Sequence, residues 1–311
     1  MKHLKKYVSL ILSVLLLTSL LAACQGKDSG TDTPAPTGDD SGAKTVESTD
    51  NTGSGETTAS EYPADVQTII DRGVLRVGVK NAVVGFGYQD PLTQEYSGLE
   101  ITLAQKIAED LGIDVEFTAV TAATRTELLD SGDIDCVLAT FTITDERKES
   151  WDFSTPYFTD YVTVLVENAS GITSLEGLAD KKVGVSSGST SAKALVKAMI
   201  DGEFISGDNF NEETFDPATW TEGVSFHQYD DYPTISTALS AGEIDAFCVD
   251  KSILAAYNSD SRSYIADKFS PQDYGVATKK GSGLTSVIEG LITGWLADGT
   301  VDGLIAENGL E

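Results

Sequence analysis

Histidine occurs only twice and cysteine three times in the 311 residues, too little for a transition-metal centre of the usual His/Cys kind. Basic residues are also scarce: 21 against 49 acidic ones, for a net charge of −28. A polyanion of this strength repels nucleic acid and anionic lipid headgroups, which argues against both as partners. The one long apolar run, Val8 to Ala23, is short for a comfortable membrane span. What is present is an ordinary globular share of apolar residues, 41 %, and enough chain for more than one domain.

The N-terminus reads as an address label. Lys2, Lys5 and Lys6 precede the apolar run, and Leu21-Ala22-Ala23-Cys24 closes it. Charged start, short apolar core and small residues before a cysteine are similar to a bacterial lipoprotein signal over 1–23, with Cys24 as the lipidation site. The lipid would anchor the protein without spanning the bilayer. Residues 24–60 are the expected tether: 21 of residues 25–60 are Gly, Ser, Thr or Pro, and so polar a stretch has no core to bury. As a flexible coil it reaches roughly 30–36 Å.

The body, from 61 onward, alternates strand and helix patterns. Val74–Val79 is a short apolar strand; Leu99, Leu103, Ile107 and Leu111 mark one helical face before Gly112. Val115–Val120 and Ile134–Ala139 read as further strands, with a short helix from Arg125 between them. Strand–helix–strand order implies parallel sheets covered by helices. The pattern then returns. Arg76-Val-Gly-Val79 is echoed by Lys182-Val-Gly-Val185, and Leu129-Asp-Ser-Gly-Asp-Ile-Asp135 by Leu239-Ser-Ala-Gly-Glu-Ile-Asp245. Two echoes at nearly one offset suggest two similar α/β lobes. Cys136 and Cys248 fall in apolar runs of different lobes and are expected to be separate buried thiols.

Open parallel sheets bind ligands beyond the carboxyl ends of their strands. The residues that follow the expected strands are Lys80, then Thr121 to Arg125, then Thr140-Phe-Thr142 with Arg147 beyond, then Ser186 to Ser191, then His227 to Tyr232, and finally Asp250. Arginine forks suit carboxylates, the Ser186–Ser191 turn into a helix suits an anion, and Asp250 suits an ammonium. One ammonium and two carboxylates describe an acidic amino acid.

At this point the chain resembles bacterial extracellular solute-binding proteins for polar amino acids, the receptors of ABC importers. The likeness rests on Leu75-Arg-Val-Gly-Val79, Ala139-Thr-Phe-Thr-Ile-Thr-Asp-Glu-Arg147, Phe153-Ser-Thr-Pro-Tyr157 and Val183-Gly-Val-Ser-Ser-Gly-Ser-Thr190. An aspartate/glutamate-binding branch is suggested by Gly78-Val-Lys-Asn81, Thr124-Arg-Thr-Glu-Leu-Leu129, Asp231-Tyr-Pro-Thr234 and Val249-Asp-Lys-Ser-Ile-Leu254. The resemblance implies a two-lobed α/β fold of the periplasmic-binding-protein type. Lobe 1 would span 61–163 and 273–311, lobe 2 164–272, with two hinge strands between them.

By the same resemblance Arg147 would pair with the ligand α-carboxylate, helped by Thr142, Thr190 and Ser191. Asp250 would hold the ammonium and Thr140 would form a polar wall. Lys80, Arg125 and Tyr232 would take the side-chain carboxylate. The expected function is a non-catalytic, monomeric receptor that passes glutamate or aspartate to a permease, with no cofactor and no metal. Glutamine or another polar amino acid is the alternative ligand, and sensing or adhesion without transport the alternative role. A dehydratase, as a few relatives are, would need a general acid in the cleft, and the sequence offers no evident one besides Asp250. Val83-Val84 replaces the ligand-stacking aromatic of many relatives, with Phe86 the nearest candidate. Residues 201–222 match no part of the pattern and are expected to sit in solvent.

Overall fold

The computed structural model describes residues 62–311. The expected signal, Cys24 and the tether lie outside them. Two sheets organise the body. The first has the strand order Asp114–Ala119, Val74–Val79, Cys136–Leu138, Ala277–Lys279, Trp151–Phe153. Its first three strands run parallel, and Ala277–Lys279 joins antiparallel. The second runs Val224–Tyr229, Lys181–Ser186, Ala246–Asp250, Phe158–Glu167, Arg262–Tyr264, with Phe269–Tyr274 also paired to Phe158–Glu167. Its first three strands are likewise parallel. This is the expected two-lobed α/β architecture.

The chain passes from the first sheet to the second between Phe153 and Phe158, and returns between Tyr274 and Ala277. The two crossings run side by side: Tyr157 donates its N–H to the Tyr274 carbonyl at 2.9 Å and Ser154 to the Val276 carbonyl at 3.0 Å. We take these crossings as the lobe limits; the expected boundary at 163 falls inside the strand Phe158–Glu167.

Helices between the strands cover the sheets with their apolar faces. Leu99–Asp110 buries Leu99, Leu103 and Ile107, the four-residue stripe read from sequence. It stops at Leu111, and Gly112 follows with φ +69°, a conformation that costs glycine little. Ser191–Asp201 buries Ala192, Leu195, Val196 and Met199 against the second sheet. Cys136 and Cys248 are free, buried and in different sheets. Burial pushes both thiols above their ordinary pKa, so they behave as small apolar groups. No helix among the described residues is long and apolar enough to cross a membrane.

Residues 201–222 do not simply sit in solvent. Phe210, Phe215 and Trp220 form a mutual aromatic cluster, with ring centroids 5.6 to 6.0 Å apart, that packs on the second lobe's core. Aromatic burial of this kind outweighs the acidic composition that suggested a solvated loop.

Candidate functional site

The polar residues singled out above lie where the parallel strands end. Lys80 follows Val74–Val79 directly. Arg125 sits in the first turn of the helix Thr124–Ser131, Thr140 and Thr142 follow Cys136–Leu138, and Arg147 lies in the short helix Asp145–Ser150. Thr144 caps that helix by accepting the Arg147 N–H at 3.1 Å, which fixes where the arginine leaves the backbone. From the second lobe, Ser191 and Tyr232 each open a helix, and Asp250 is the last residue of its strand. Asp231 caps the Tyr232 helix by accepting the Thr234 N–H at 2.8 Å.

Contacts tie several of these side chains together. The Lys80 ammonium lies over the Tyr232 ring, 5.3 Å from its centre, joining the two lobes. Arg125 donates to the carbonyls of Ala139 (2.9 Å) and Thr140 (3.3 Å). Arg147 donates to the Thr142 carbonyl at 2.7 Å and, across the cleft, to the Gly188 carbonyl at 3.1 Å. Both guanidiniums lie over the ring of Phe141, 3.8 and 4.6 Å from its centre. Such stacking orients planar cations while leaving donors free. A third bridge between lobes, the exposed ion pair of Lys193 and Glu146 at 2.9 Å, lies at the rim. The cavity beside Arg125, Arg147 and Thr190 holds about 620 Å³, and Glu212, Phe215 and Pro217 of the 201–222 segment form part of its wall.

The electrostatics are unusual for so acidic a chain. Lys80 and Arg125 are each only 3 % exposed, and among the described residues neither they nor Arg147 has an ion-pair partner within 4 Å. Burial, reinforced by Arg125, holds the Lys80 ammonium well below its usual range. Burial brings Arg125 down to about 10, and desolvation beside Arg125 brings Arg147 down to about 9. Asp250 is pushed up to about 7 by burial and by Asp160, while Arg125 and Arg147 pull it down again. Its carboxylate accepts the Tyr274 hydroxyl. Ser191 Oγ and Arg125 Nε are buried with no hydrogen-bond partner among the described residues. Each unmet polar atom costs free energy unless something else meets it.

Three sequence expectations need correction. Glu100 is a second carboxylate beside the crevice, fully buried. Its Oε1 accepts the Thr140 N–H (2.5 Å) and the Tyr157 hydroxyl (2.6 Å), while Oε2 has no partner among the described residues. Burial raises its pKa. It lies second in its helix, next to the apolar stripe, where composition gives no hint of burial. Phe86 packs edge-on against Phe158 and Tyr274 in the core and is no stacking platform; Phe141 is the aromatic of the crevice. The hydroxyls of Thr142 and Thr190 are both spent on Gln272, at 2.8 and 2.7 Å, so neither proton is free for a carboxylate. Thr140 is held at φ +45°, a strained conformation for threonine and common at working sites. His227 is exposed.

Comparison with known proteins agrees with this geometry. The family model of bacterial extracellular solute-binding proteins, family 3, matches residues 75–308. The ABC transporter glutamine-binding protein GlnH of Bacillus subtilis is 31 % identical over 305 residues, covering 96 % of this chain and 95 % of that protein. The glutamate-binding protein GluB of Corynebacterium glutamicum is 30 % identical over 257 residues, covering 77 % and 79 %. The solved structure of an ancestral arginine-binding protein bound to arginine superposes with a TM-score of 0.64 at 33 % identity, over 76 % of this chain and 98 % of that one. Two lobes, a crevice between them and the matched motifs identify this chain as a member of the bacterial extracellular solute-binding proteins, family 3.

Proposed function

We propose that the protein is the receptor of an amino acid ABC importer, that its ligand is an acidic amino acid, and that it hands this ligand to a permease without chemical change. The observation that carries the acidic reading is the set of three cations at the strand ends of the first lobe, Lys80, Arg125 and Arg147, none with an ion-pair partner within 4 Å among the described residues. One α-carboxylate answers one cation. A second carboxylate, on the ligand side chain, answers Lys80 and Arg125, whose desolvation it offsets. In this reading Arg147 takes the α-carboxylate, Asp250 the ammonium, and Tyr232 closes over Lys80 from the second lobe. Thr140, Ser191 and the backbone around Thr142 and Thr190 line the remaining wall. Ligand binding favours the closed arrangement through contacts to both lobes.

Glutamine is the second reading. The similarity to GlnH favours it, and so does Glu100, whose charge beside Lys80 and Arg125 would cancel part of the cationic surplus. Titration calorimetry with L-glutamate, L-aspartate and L-glutamine separates the two. Acids binding at least about tenfold tighter than the amide, the cost of leaving a buried cation unpaired, support the first. Equal or tighter glutamine binding replaces it with the second.

Membership of an extracellular family makes the protein an exported one. Attachment through a lipid on Cys24 is part of the same proposal, and mass spectrometry of the mature N-terminus tests it. The protein is expected to act as a monomer.

A further inference from the structure

Gln272 lies on the crossing strand Phe269–Tyr274 and is 2 % exposed. Its side-chain nitrogen donates to the carbonyl of Ser270 (2.9 Å), the hydroxyl of Ser270 (3.0 Å) and the carbonyl of Pro271 (3.2 Å). Carbonyl oxygens only accept, so the nitrogen must face them and the amide oxygen must face the other way. That oxygen receives two hydroxyls, Thr142 at 2.8 Å and Thr190 at 2.7 Å. Thr142 belongs to the first lobe and Thr190 to the second. The strand bends to hold the amide in this orientation. Its pairing shifts register between Phe269 and Pro271, and Ser270 there is held at φ +49°. The irregularity turns the Ser270 and Pro271 carbonyls toward the amide.

We propose that Gln272 is a positioning residue for amino acid capture: from the hinge strand its amide oxygen clasps the two lobes through Thr142 and Thr190 and so holds the closed state. The clasp makes no demand on the ligand side chain. It sets how long any bound amino acid stays, whereas Lys80 and Arg125 set which one is preferred. The inference rests on the receptor reading above but not on the acidic one.

Stopped-flow binding of L-glutamate and of L-glutamine to the full chain and to Gln272→Met tests it. Methionine keeps the length and loses the acceptor. Two hydrogen bonds lost from the closed state predict dissociation about 10- to 100-fold faster for both ligands. Association should change by less than about threefold, and the glutamate-to-glutamine ratio should stay that of the parent. Thr190→Val added to Gln272→Met should then cost at most about twofold more in the dissociation rate, because the two groups act as one unit. Unchanged dissociation, a loss confined to one ligand, or fully additive effects would overturn the proposal. A merely structural role would lower the melting temperature of the empty protein and leave dissociation alone. Should Gln272→Met fail to fold, stopped-flow dissociation from Thr190→Val decides. Release of both ligands faster by about 3- to 10-fold is expected from the one hydrogen bond lost, and an unchanged rate contradicts the clasp. If the parent binds both ligands equally, the acidic reading fails while the clasp stays testable on either.

Discussion

In the first lobe a Cβ on Gly78 would stand 2.6 Å from Ile134 Cδ1; in the second, a Cβ on Gly184 would stand 2.4 Å from Ile244 Cδ1. Beside the first pair, Asp135 donates its N–H to the Arg76 carbonyl and its carboxylate accepts the Arg76 N–H, both at 2.8 Å. Beside the second, Asp245 does the same with Lys182, again at 2.8 Å each. The two sequence echoes are therefore one packing unit used twice: a glycine that lets an isoleucine reach the sheet, and an aspartate that pins the entering strand. What the lobes do with that unit differs. The first sends Lys80, Arg125 and Arg147 to its strand ends; the second sends Asp250, Tyr232 and the Ser191 helix start. The scaffold is duplicated, and the three cations stand on one face with Asp250 on the other, the arrangement the proposed acidic ligand would use.

The strongest way to break the charge split is Arg147→Ala. It removes the half-buried guanidinium assigned to the α-carboxylate that all amino acids share, so affinity for every one should fall by about 100-fold or more. Calorimetry with glutamate and glutamine checks this, and a mild loss would mean that another cation holds the α-carboxylate. Asp250→Asn attacks the other face. We expect a loss of about 10- to 100-fold, together with a change in pH dependence. In the empty site Asp250 is raised to about 7, chiefly by burial, and a ligand ammonium favours its ionised form. Affinity in the parent should therefore weaken as pH falls below about 7, by up to about tenfold per unit. In Asp250→Asn that slope should vanish. A parent profile flat from pH 5 to pH 8 would dissociate Asp250 from the ligand.

A smaller effect sharpens the comparison within the first lobe. Arg125→Ala should leave glutamine binding within a few fold and weaken glutamate by about tenfold or more, erasing the preference between them. Equal losses for both would move Arg125 to the shared end of the ligand. The smallest effects belong to the scaffold. Gly78→Ala forces Ile134 aside and Gly184→Ala both Ile244 and Ile235, each at about 1–3 kcal/mol of stability, with the larger fall in melting temperature for Gly184→Ala. Neither should change ligand preference.

Much of the fold was legible in the sequence, because helix stripes such as Leu99-Leu103-Ile107 and the paired echoes are local patterns. The candidate site was legible as far as it follows strand ends: Lys80, Tyr232 and Asp250 stand directly at the ends of strands or the starts of the helices after them, and Arg125 and Arg147 in the helices that follow, where open parallel sheets present their carboxyl ends. What escaped depends on the third dimension. Glu100 looks like any exposed helix-start glutamate until Tyr157 and the Thr140 amide, both distant in sequence, enclose it. Gln272 sits in a polar stretch with no motif, and only the return of the hinge strand sets it between Thr142 and Thr190. Phe141 stands between two threonines, and nothing in that spacing announces two guanidiniums stacked on its ring. The 201–222 segment misled through its acidic composition, while Phe210, Phe215 and Trp220, five residues apart, carried the packing.

A crystal structure of the protein with bound L-glutamate puts the split of charge between the lobes to its plainest trial. The expected complex has the α-carboxylate on Arg147, the ammonium on Asp250, and the side-chain carboxylate between Lys80 and Arg125 with the lobes closed around it. A glutamate whose side chain points away from Lys80 and Arg125, leaving both cations to water, would contradict it.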